Sequence, residues 1–155
     1  MSERVCAVIV TYNRKALLRE CLKAVLSQTR PPDHVLVVDN ASTDGTPETL
    51  QEEIPQVEVL RLPENQGGAG GFHEGMKRAY EQGVDWLWLM DDDTIPKAKA
   101  LEALLEAARR LGVSAGACAY IGDDHRDMLA GRAAGMLTLA AAWGSIHIKR
   151  ACAPR

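Results

Sequence analysis

Short apolar runs alternate, over the first two thirds of the chain, with segments whose apolar residues recur every three or four positions. Four runs, near Val5, Val35, Val57 and Trp86, predict strands, because a strand buried on both faces is continuously apolar. The intervening segments predict amphipathic helices, and we expect Asn13 to cap the first. Strands that alternate with helices in this way predict a parallel sheet with helices on both faces.

Two further apolar runs, residues 117–121 and 136–143, predict a fifth and a sixth strand. The fold class is therefore expected to be α/β, with one doubly wound, Rossmann-like α/β/α domain and about six mainly parallel strands. By analogy with dinucleotide-binding domains, we expect the strand order 3-2-1-4-5-6. The fourth strand, residues 86–90, is expected to be buried on both faces because it is apolar throughout.

Composition and charge narrow the class of protein. Of the 155 residues, 46% are hydrophobic and 25% are charged, and the net charge is −3. This balance argues against nucleic acid or an anionic membrane surface as a partner. No apolar run approaches the ~20 residues of a membrane-spanning helix, and none resembles a secretory signal. We therefore expect a cytoplasmic location and reduced, buried cysteines, while the pattern leaves the oligomeric state open.

Three consecutive carboxylates, Asp91, Asp92 and Asp93, follow the fourth predicted strand. Ligands of parallel sheets collect at the carboxyl ends of the strands, where these side chains would lie. Crowded carboxylates repel one another and lose hydration, so a cation is expected to neutralise them. Hard oxygen ligands suit Mg²⁺ or Mn²⁺, which in turn bind a diphosphate. The alternative interpretation is a solvated acidic turn.

A glycine-rich segment, residues 65–71, follows the third predicted strand. We expect its four glycines to form a loop whose backbone approaches a ligand closely. The loops after all the strands should meet at one edge of the sheet and build one site. A helix should follow the glycines and place four side chains inward, Phe72, Met76, Ala79 and Tyr80.

Four motifs follow one another along the chain: Val-Ile-Val-Thr-Tyr-Asn-Arg at 8–14, Val-Val-Asp-Asn-Ala-Ser-Thr-Asp-Gly-Thr at 37–46, the segment 65–75, and Asp-Asp-Asp-Thr-Ile-Pro at 91–96. Through these motifs, residues from about 5 to 105 resemble the first half of a family 2 glycosyltransferase with the GT-A fold. Galactofuranosyl- and rhamnosyl-type transferases are the most similar. The resemblance implies a UDP- or dTDP-sugar donor that is bound through Mn²⁺ or Mg²⁺ for transfer of its glycosyl group.

The resemblance also implies a role for each matched residue. Asp91 and Asp93 would bind the metal, and Asp92 would lie nearer the ribose or the sugar. Asp39 would hydrogen-bond the base, expected to be uracil. The other nucleotide-sugar-binding residues would be Thr11, Asn13, Arg14, Asn40, Asp44, Gly68, Gly70 and Gly71.

In such enzymes the second half supplies the acceptor site and a catalytic carboxylate base. Beyond Leu105 we find no residue that matches these roles, so the catalytic residues stay unassigned. We accordingly expect sugar transfer by this chain alone to be weak or absent. A non-catalytic hybrid fold is the alternative.

The motif Gly-Asp-Asp-His-Arg-Asp at 122–127 is followed by Ala-Gly-Arg-Ala-Ala-Gly-Met at 130–136 and by Trp143-Gly144. Through this run, residues from about 104 to 144 resemble a phosphoglycolate-phosphatase-type haloacid dehalogenase. This resemblance implies a possible second metal site, where Asp123 and Asp127 would hold Mg²⁺. A phosphatase is the runner-up function if the fourth and fifth strands are neighbours, with Asp91 as nucleophile and Asp93 as acid/base. We divide the chain into a glycosyltransferase-type half (1–111), a phosphatase-like segment (112–144) and a tail (145–155).

Overall fold

The computed structural model describes residues 3–110, 119–122, 137–142 and 145–147. Strands and helices alternate through the first of these ranges, as the apolar pattern predicts. The elements are β1 (Val5–Thr11), α1 (Lys15–Leu26), β2 (His34–Asp39), α2 (Thr46–Glu53), β3 (Glu58–Arg61), α3 (Gly67–Glu81), β4 (Trp86–Asp91) and α4 (Ala100–Arg110). No helix in this described part of the chain is both long and apolar enough to cross a bilayer.

The first four strands form one parallel sheet in the order β3-β2-β1-β4. Val8 of β1 lies opposite Leu36 of β2 on one side and Leu89 of β4 on the other. All four strands therefore point their carboxyl ends at the same edge. The predicted α/β class and the first four places in the predicted strand order are confirmed.

Alternate residues of β1 enter two separate cores. Ala7 and Ile9 pack with the apolar face of α1, while Val8 and Val10 pack on the opposite face of the sheet. Gly75 of α3 is essential to the second core, because a Cβ atom there would lie only 2.5 Å from Val8 Cγ1. Helices thus cover both faces of the sheet and leave its carboxyl edge to the loops.

The fourth strand is less buried than its apolar sequence predicts. Residues 86–89 of β4 are half-buried and only Met90 is fully buried. The prediction of burial on both faces is wrong for most of this strand, because β4 pairs with β1 and forms an edge of the four-stranded sheet. Trp86 and Trp88 still contribute to the core, where they pack against Val5 and the buried leucines of α4.

Strands five and six do not extend this sheet. They belong to a second sheet, which contains β5 (Ala119–Gly122), β6 (Leu137–Ala142) and β7 (Ser145–His147). β5 and β6 are parallel, and β6 and β7 are antiparallel. The predicted order 4-5-6 is therefore wrong, since an apolar run identifies a strand but not the backbone edge with which it pairs. β7 lies within the predicted tail, and the division of the chain at 111 and 144 stays a prediction.

Two details of the helices also differ from expectation. Arg14, not Asn13, occupies the cap position of α1, and Asn13 has a positive φ of 53°. The glycine-rich segment is not a loop, because α3 already begins at Gly67 and the glycines form its first turn. Tyr80 lies outward and is 76% exposed, since the inward stripe of α3 runs instead through Gly71, Gly75, Met76 and Ala79.

Candidate functional site at the carboxyl edge of the sheet

The loops that follow β1, β2 and β4 are linked to one another by side chains at the carboxyl edge. The Thr11 hydroxyl at the end of β1 donates a hydrogen bond to Asp92 Oδ2, 2.7 Å away. Thr11 is 2% exposed and Asp92 is 3% exposed. The bond therefore fixes the second aspartate of the acidic turn against β1, and the predicted role of Asp92 near the ribose or the sugar stays a prediction.

Arg14 provides positive charge beside the acidic turn. Its Nη1 atom lies 3.4 Å from Asp92 Oδ1 and 3.4 Å from Asp93 Oδ2. The side chains of Arg14 and Asp93 are half-exposed, whereas that of Asp92 is almost completely buried. One guanidinium thus bridges an anchored carboxylate and a solvent-facing one.

Asp91 is the least compensated of the three acids. Partial burial of its carboxyl, followed by repulsion from Asp93 and Asp92, raises the pKa of Asp91, and the charge of Arg14 opposes this shift. The residue as a whole is nevertheless exposed at the end of β4. An accessible carboxylate that lacks hydration and is repelled by its neighbours gains from a cation.

The donor set suits a divalent ion that shares its coordination with a ligand. Within the described residues, no group of three or more histidine, cysteine or acidic side chains is placed to hold a metal ion. Asp91 and Asp93 are nevertheless exposed oxygen donors two positions apart, with the buried Asp92 between them. Mg²⁺-type ions are commonly held by one or two carboxylates together with substrate phosphates. The residues therefore fit Mg²⁺ or Mn²⁺ when phosphate oxygens complete the coordination.

Asp39 ends β2 and is completely buried. Its carboxylate accepts hydrogen bonds from the Ser42 backbone N–H at 3.2 and 3.3 Å, and Arg61 Nε lies 3.7 Å away. The Arg61 side chain beside this carboxylate is half-exposed. The predicted contact between Asp39 and the base stays a prediction.

Asn40 joins β2 to the start of α3. Its Oδ1 accepts a hydrogen bond from the Gln66 N–H at 3.2 Å, and its Nδ2 donates one to the Gly67 carbonyl at 3.0 Å. The residue is 2% exposed. Asn40 is thus a clamp for the first turn of α3, and it shapes the edge of the site through that turn.

Asn13 and Asp44 connect the β1 and β2 loops. Asn13 Oδ1 accepts a hydrogen bond of 2.7 Å from the Thr43 N–H. Asp44 Oδ2 accepts one of 3.1 Å from the N–H of Lys15, the first residue of α1. Asp44 therefore caps α1 from a distant loop, a position that favours a negative charge.

The three glycines assigned to the ligand have different surroundings. A Cβ atom on Gly71 would lie 2.5 Å from Val10 Cγ1, and one on Gly70 would lie 2.5 Å from Gln66 Cβ. A Cβ atom on Gly68 would meet nothing within 4 Å. Gly71 thus serves the contact of α3 with the sheet, and of the three only Gly68 faces open space.

Sequence reasoning missed Arg61. It is the last residue of β3, and besides Asp39 it contacts the Ser42 carbonyl through Nη2 at 3.2 Å. Its position at the end of a strand was a usable signal, because strand ends collect at the functional edge. The predicted second metal site, Asp123 and Asp127, lies outside the described residues.

Comparison with known proteins identifies relatives of the whole site region. The chain matches the profile described as glycosyl transferase family 2 over residues 6–149. It is 44% identical over 108 residues to the galactofuranosyltransferase GlfT1 of Mycolicibacterium smegmatis. This match covers 69% of the chain and 36% of the relative, so the chain spans about a third of that protein's length.

Solved structures share the fold. The Staphylococcus aureus TarS fragment 1–349 in complex with UDP superposes with a TM-score of 0.64 at 21% identity, over 78% of this chain and 36% of that one. The mannosyltransferase PcManGT from Pyrobaculum calidifontis, in complex with GDP-Man and Mn²⁺, gives a TM-score of 0.57 at 26% identity, over 83% and 38%. The GT-A-like fold that the sequence motifs imply is thereby confirmed.

A shorter match concerns another class of protein. The phosphoglycolate phosphatase of Xanthomonas campestris is 53% identical to this chain over 57 residues, which is 36% of the chain and 26% of the phosphatase. The phosphatase-like resemblance is thus supported for part of the chain only.

Proposed function

The chain belongs to glycosyl transferase family 2, and from that premise we propose that the carboxyl edge of its sheet binds a nucleotide-diphospho-sugar together with a divalent metal ion. One observation carries the proposal. Asp91 and Asp93 present two exposed carboxylates at the end of β4, while Asp92 between them is fixed by Thr11. An anchored residue between two exposed oxygen donors is a suitable arrangement for a metal that also binds a diphosphate.

The proposed ion is Mn²⁺ or Mg²⁺. Bound between Asp91, Asp93 and the diphosphate, it would neutralise the charge that develops on the leaving group. Residues of this chain would bind the diphosphate and support the site. Arg14, whose Nη1 lies 3.4 Å from Asp93 Oδ2, would contact the diphosphate, and Asn40 holds the first turn of α3.

The proposed ligand class is a UDP- or dTDP-sugar. Similarity to a galactofuranosyltransferase supports a UDP-linked hexose donor, and the fold shared with a UDP complex is consistent with it. Asp39, Asn40 and Asp44 would border the base and ribose, as the family resemblance implies. We propose that the chain supplies the donor side of glycosyl transfer, and we assign no catalytic base.

Isothermal titration calorimetry with UDP and UDP-galactose, each with and without Mn²⁺, tests this proposal. We expect Mn²⁺ to strengthen binding, and we expect Asp91→Asn and Asp93→Asn to weaken the metal-dependent part by about tenfold or more. Glu20→Gln is the matched control, because it removes one exposed carboxylate from α1 and not from the acidic turn. Binding that is indifferent to Mn²⁺, or equal in all four proteins, contradicts the proposal.

One observation favours a second candidate, a metal-dependent phosphatase. It is the 57-residue similarity to a phosphoglycolate phosphatase. This candidate requires acids from strands four and five to meet, yet β5 pairs with β6 in a separate sheet. Mg²⁺-dependent hydrolysis of p-nitrophenyl phosphate that Asp123→Asn abolishes would support it. Hydrolysis at background in the unaltered protein would exclude it.

A further inference from the structure

Arg14 places a positive charge against two of the three carboxylates of the acidic turn. Its Nη1 atom is equidistant, at 3.4 Å, from oxygens of Asp92 and Asp93. The residue lies at the cap position of α1, in the loop that follows β1. Thr11, the last residue of β1, donates its hydroxyl to Asp92, so the end of β1 anchors the acidic turn and the loop after it supplies a counter-charge.

The two ion pairs of Arg14 are unequal. The Asp92 side chain is 4% exposed and its other oxygen is already bonded to Thr11, so this carboxylate cannot turn away. The Asp93 side chain is 55% exposed and faces solvent. Exposed ion pairs of this kind contribute at most about 1 kcal/mol and open easily. The contact between Arg14 and Asp93 is therefore the one that can be exchanged.

We infer that Arg14 is a stand-in cation for the acidic turn, which it neutralises in the ligand-free protein and from which it moves to the diphosphate when metal and nucleotide bind. The inference rests on the proposed function. It adds that Arg14 regulates metal binding at the acidic turn. A divalent ion and a guanidinium that share the same carboxylate repel each other and compete for its oxygens. Arg14 thus disfavours metal binding in the absence of nucleotide.

Coupling between the two ligands follows from this arrangement. A diphosphate attracts Arg14 away from Asp93, which frees that carboxylate for the metal. By linkage, nucleotide must then strengthen metal binding by the same factor by which metal strengthens nucleotide binding. The absence of a preformed three-residue metal cluster among the described residues agrees with a metal that binds well only with its nucleotide.

The test measures affinity for Mn²⁺ alone, by electron paramagnetic resonance of the free ion, in the unaltered protein and in Arg14→Gln. We expect the variant to bind Mn²⁺ about three- to tenfold more tightly, because the competing charge is gone. UDP binding in the presence of Mn²⁺ should weaken in the same variant. Arg14→Lys, which keeps the charge, should return the Mn²⁺ affinity towards that of the unaltered protein.

Arg19→Gln is the matched control. Arg19 is an exposed arginine of the same helix, and it pairs with Glu53 of α2, away from the acidic turn. Its removal subtracts the same unit of charge and should leave the Mn²⁺ affinity unchanged. Should Arg14→Gln fail to fold, Arg14→Met removes the charge while keeping a long apolar side chain.

Unchanged or weaker Mn²⁺ binding in both Arg14→Gln and Arg14→Met overturns the inference, because Arg14 would then support the metal site and not compete with it. Equal tightening by Arg19→Gln also overturns it, since the effect would be one of net charge. If the unaltered protein still binds UDP more tightly with Mn²⁺, the proposed function survives either result. If it binds UDP no better with Mn²⁺, both fail together.

Discussion

Thr11 and Asp92 stand 81 positions apart, and a hydrogen bond of 2.7 Å joins the hydroxyl of the first to the carboxylate of the second. Both side chains are buried. A carboxylate in such a place needs its hydrogen-bond partners, because an unsatisfied buried acceptor carries the full cost of lost hydration. This contact, together with the pairing of Val10 with Asp91, holds the acidic turn of β4 against the end of β1.

We predict that Thr11→Val, which keeps the shape and removes the donor, lowers the free energy of unfolding by about 1–3 kcal/mol. Urea denaturation followed by circular dichroism measures this change. Thr29→Val is the control, since the Thr29 hydroxyl also bonds to a carboxylate, that of Glu102, but in an exposed position. Thr29→Val should lower the free energy of unfolding by no more than about 0.5 kcal/mol. Equal losses of free energy of unfolding in Thr11→Val and Thr29→Val would contradict the view that burial makes the Thr11 hydrogen bond important.

Gly75→Ala is expected to destabilise the protein by about 1–3 kcal/mol, because the added methyl group overpacks the contact between α3 and the sheet. The new Cβ atom would lie 2.5 Å from Val8 Cγ1 and 2.8 Å from Val38 Cγ2. Gly68→Ala in the first turn of the same helix is the control, and it should be neutral or stabilising by up to about 1 kcal/mol. Thermal unfolding of the two variants decides the matter, and a stable Gly75→Ala protein would refute this packing argument.

Asn40→Ala removes both side-chain hydrogen bonds to the start of α3. We predict that it lowers the free energy of unfolding by about 1–3 kcal/mol. We further expect faster amide hydrogen exchange at residues 67–71, because the first turn of α3 loses its clamp. Asn65→Ala is a suitable comparison, since Asn65 Oδ1 accepts a single bond of 2.8 Å from the Gly67 N–H and is exposed. Exchange that rises equally in both variants would mean that Asn40 is no special clamp.

We predict that the free energy of unfolding falls in acid, in part because Glu58 becomes protonated. Burial acts to raise the pKa of Glu58, but hydrogen bonds from Gln82, Arg78 and His34 outweigh it and hold the pKa below its ordinary value of 4.5. The unfolded chain therefore takes up a proton at higher pH than the folded protein does. The contribution of Glu58 is complete above pH 4.5 and is lost as the pH falls through the folded pKa.

Glu58→Gln tests this pH dependence. The variant should be less stable than the unaltered protein near neutral pH, and the difference should shrink as the pH falls below 4.5. Urea midpoints measured across this range give the comparison. A stability difference that stays constant with pH would show that the ionised form of Glu58 is not what matters.

The sequence alone was sufficient for the first four strands and for where the acids lie. Continuous apolar runs and periodic helices identified the first four strands, and the strand–helix alternation gave a parallel sheet with one functional edge. The position of Asp91, Asp92 and Asp93 at that edge followed from chain order, because they directly succeed a strand. Such features depend on neighbours within a few residues, which the sequence displays.

The tertiary structure decided how buried each of these carboxylates is and what it is paired with. Asp92 and Asp39 are both buried, with the Thr11 hydroxyl bonded to the first and Arg61 beside the second. These partners are distant in the chain and meet only through the order and register of the strands. The edge position of β4 and the separate pairing of β5 with β6 arise in the same way. An apolar run determines that a strand forms, whereas backbone hydrogen bonding between distant segments determines its neighbours.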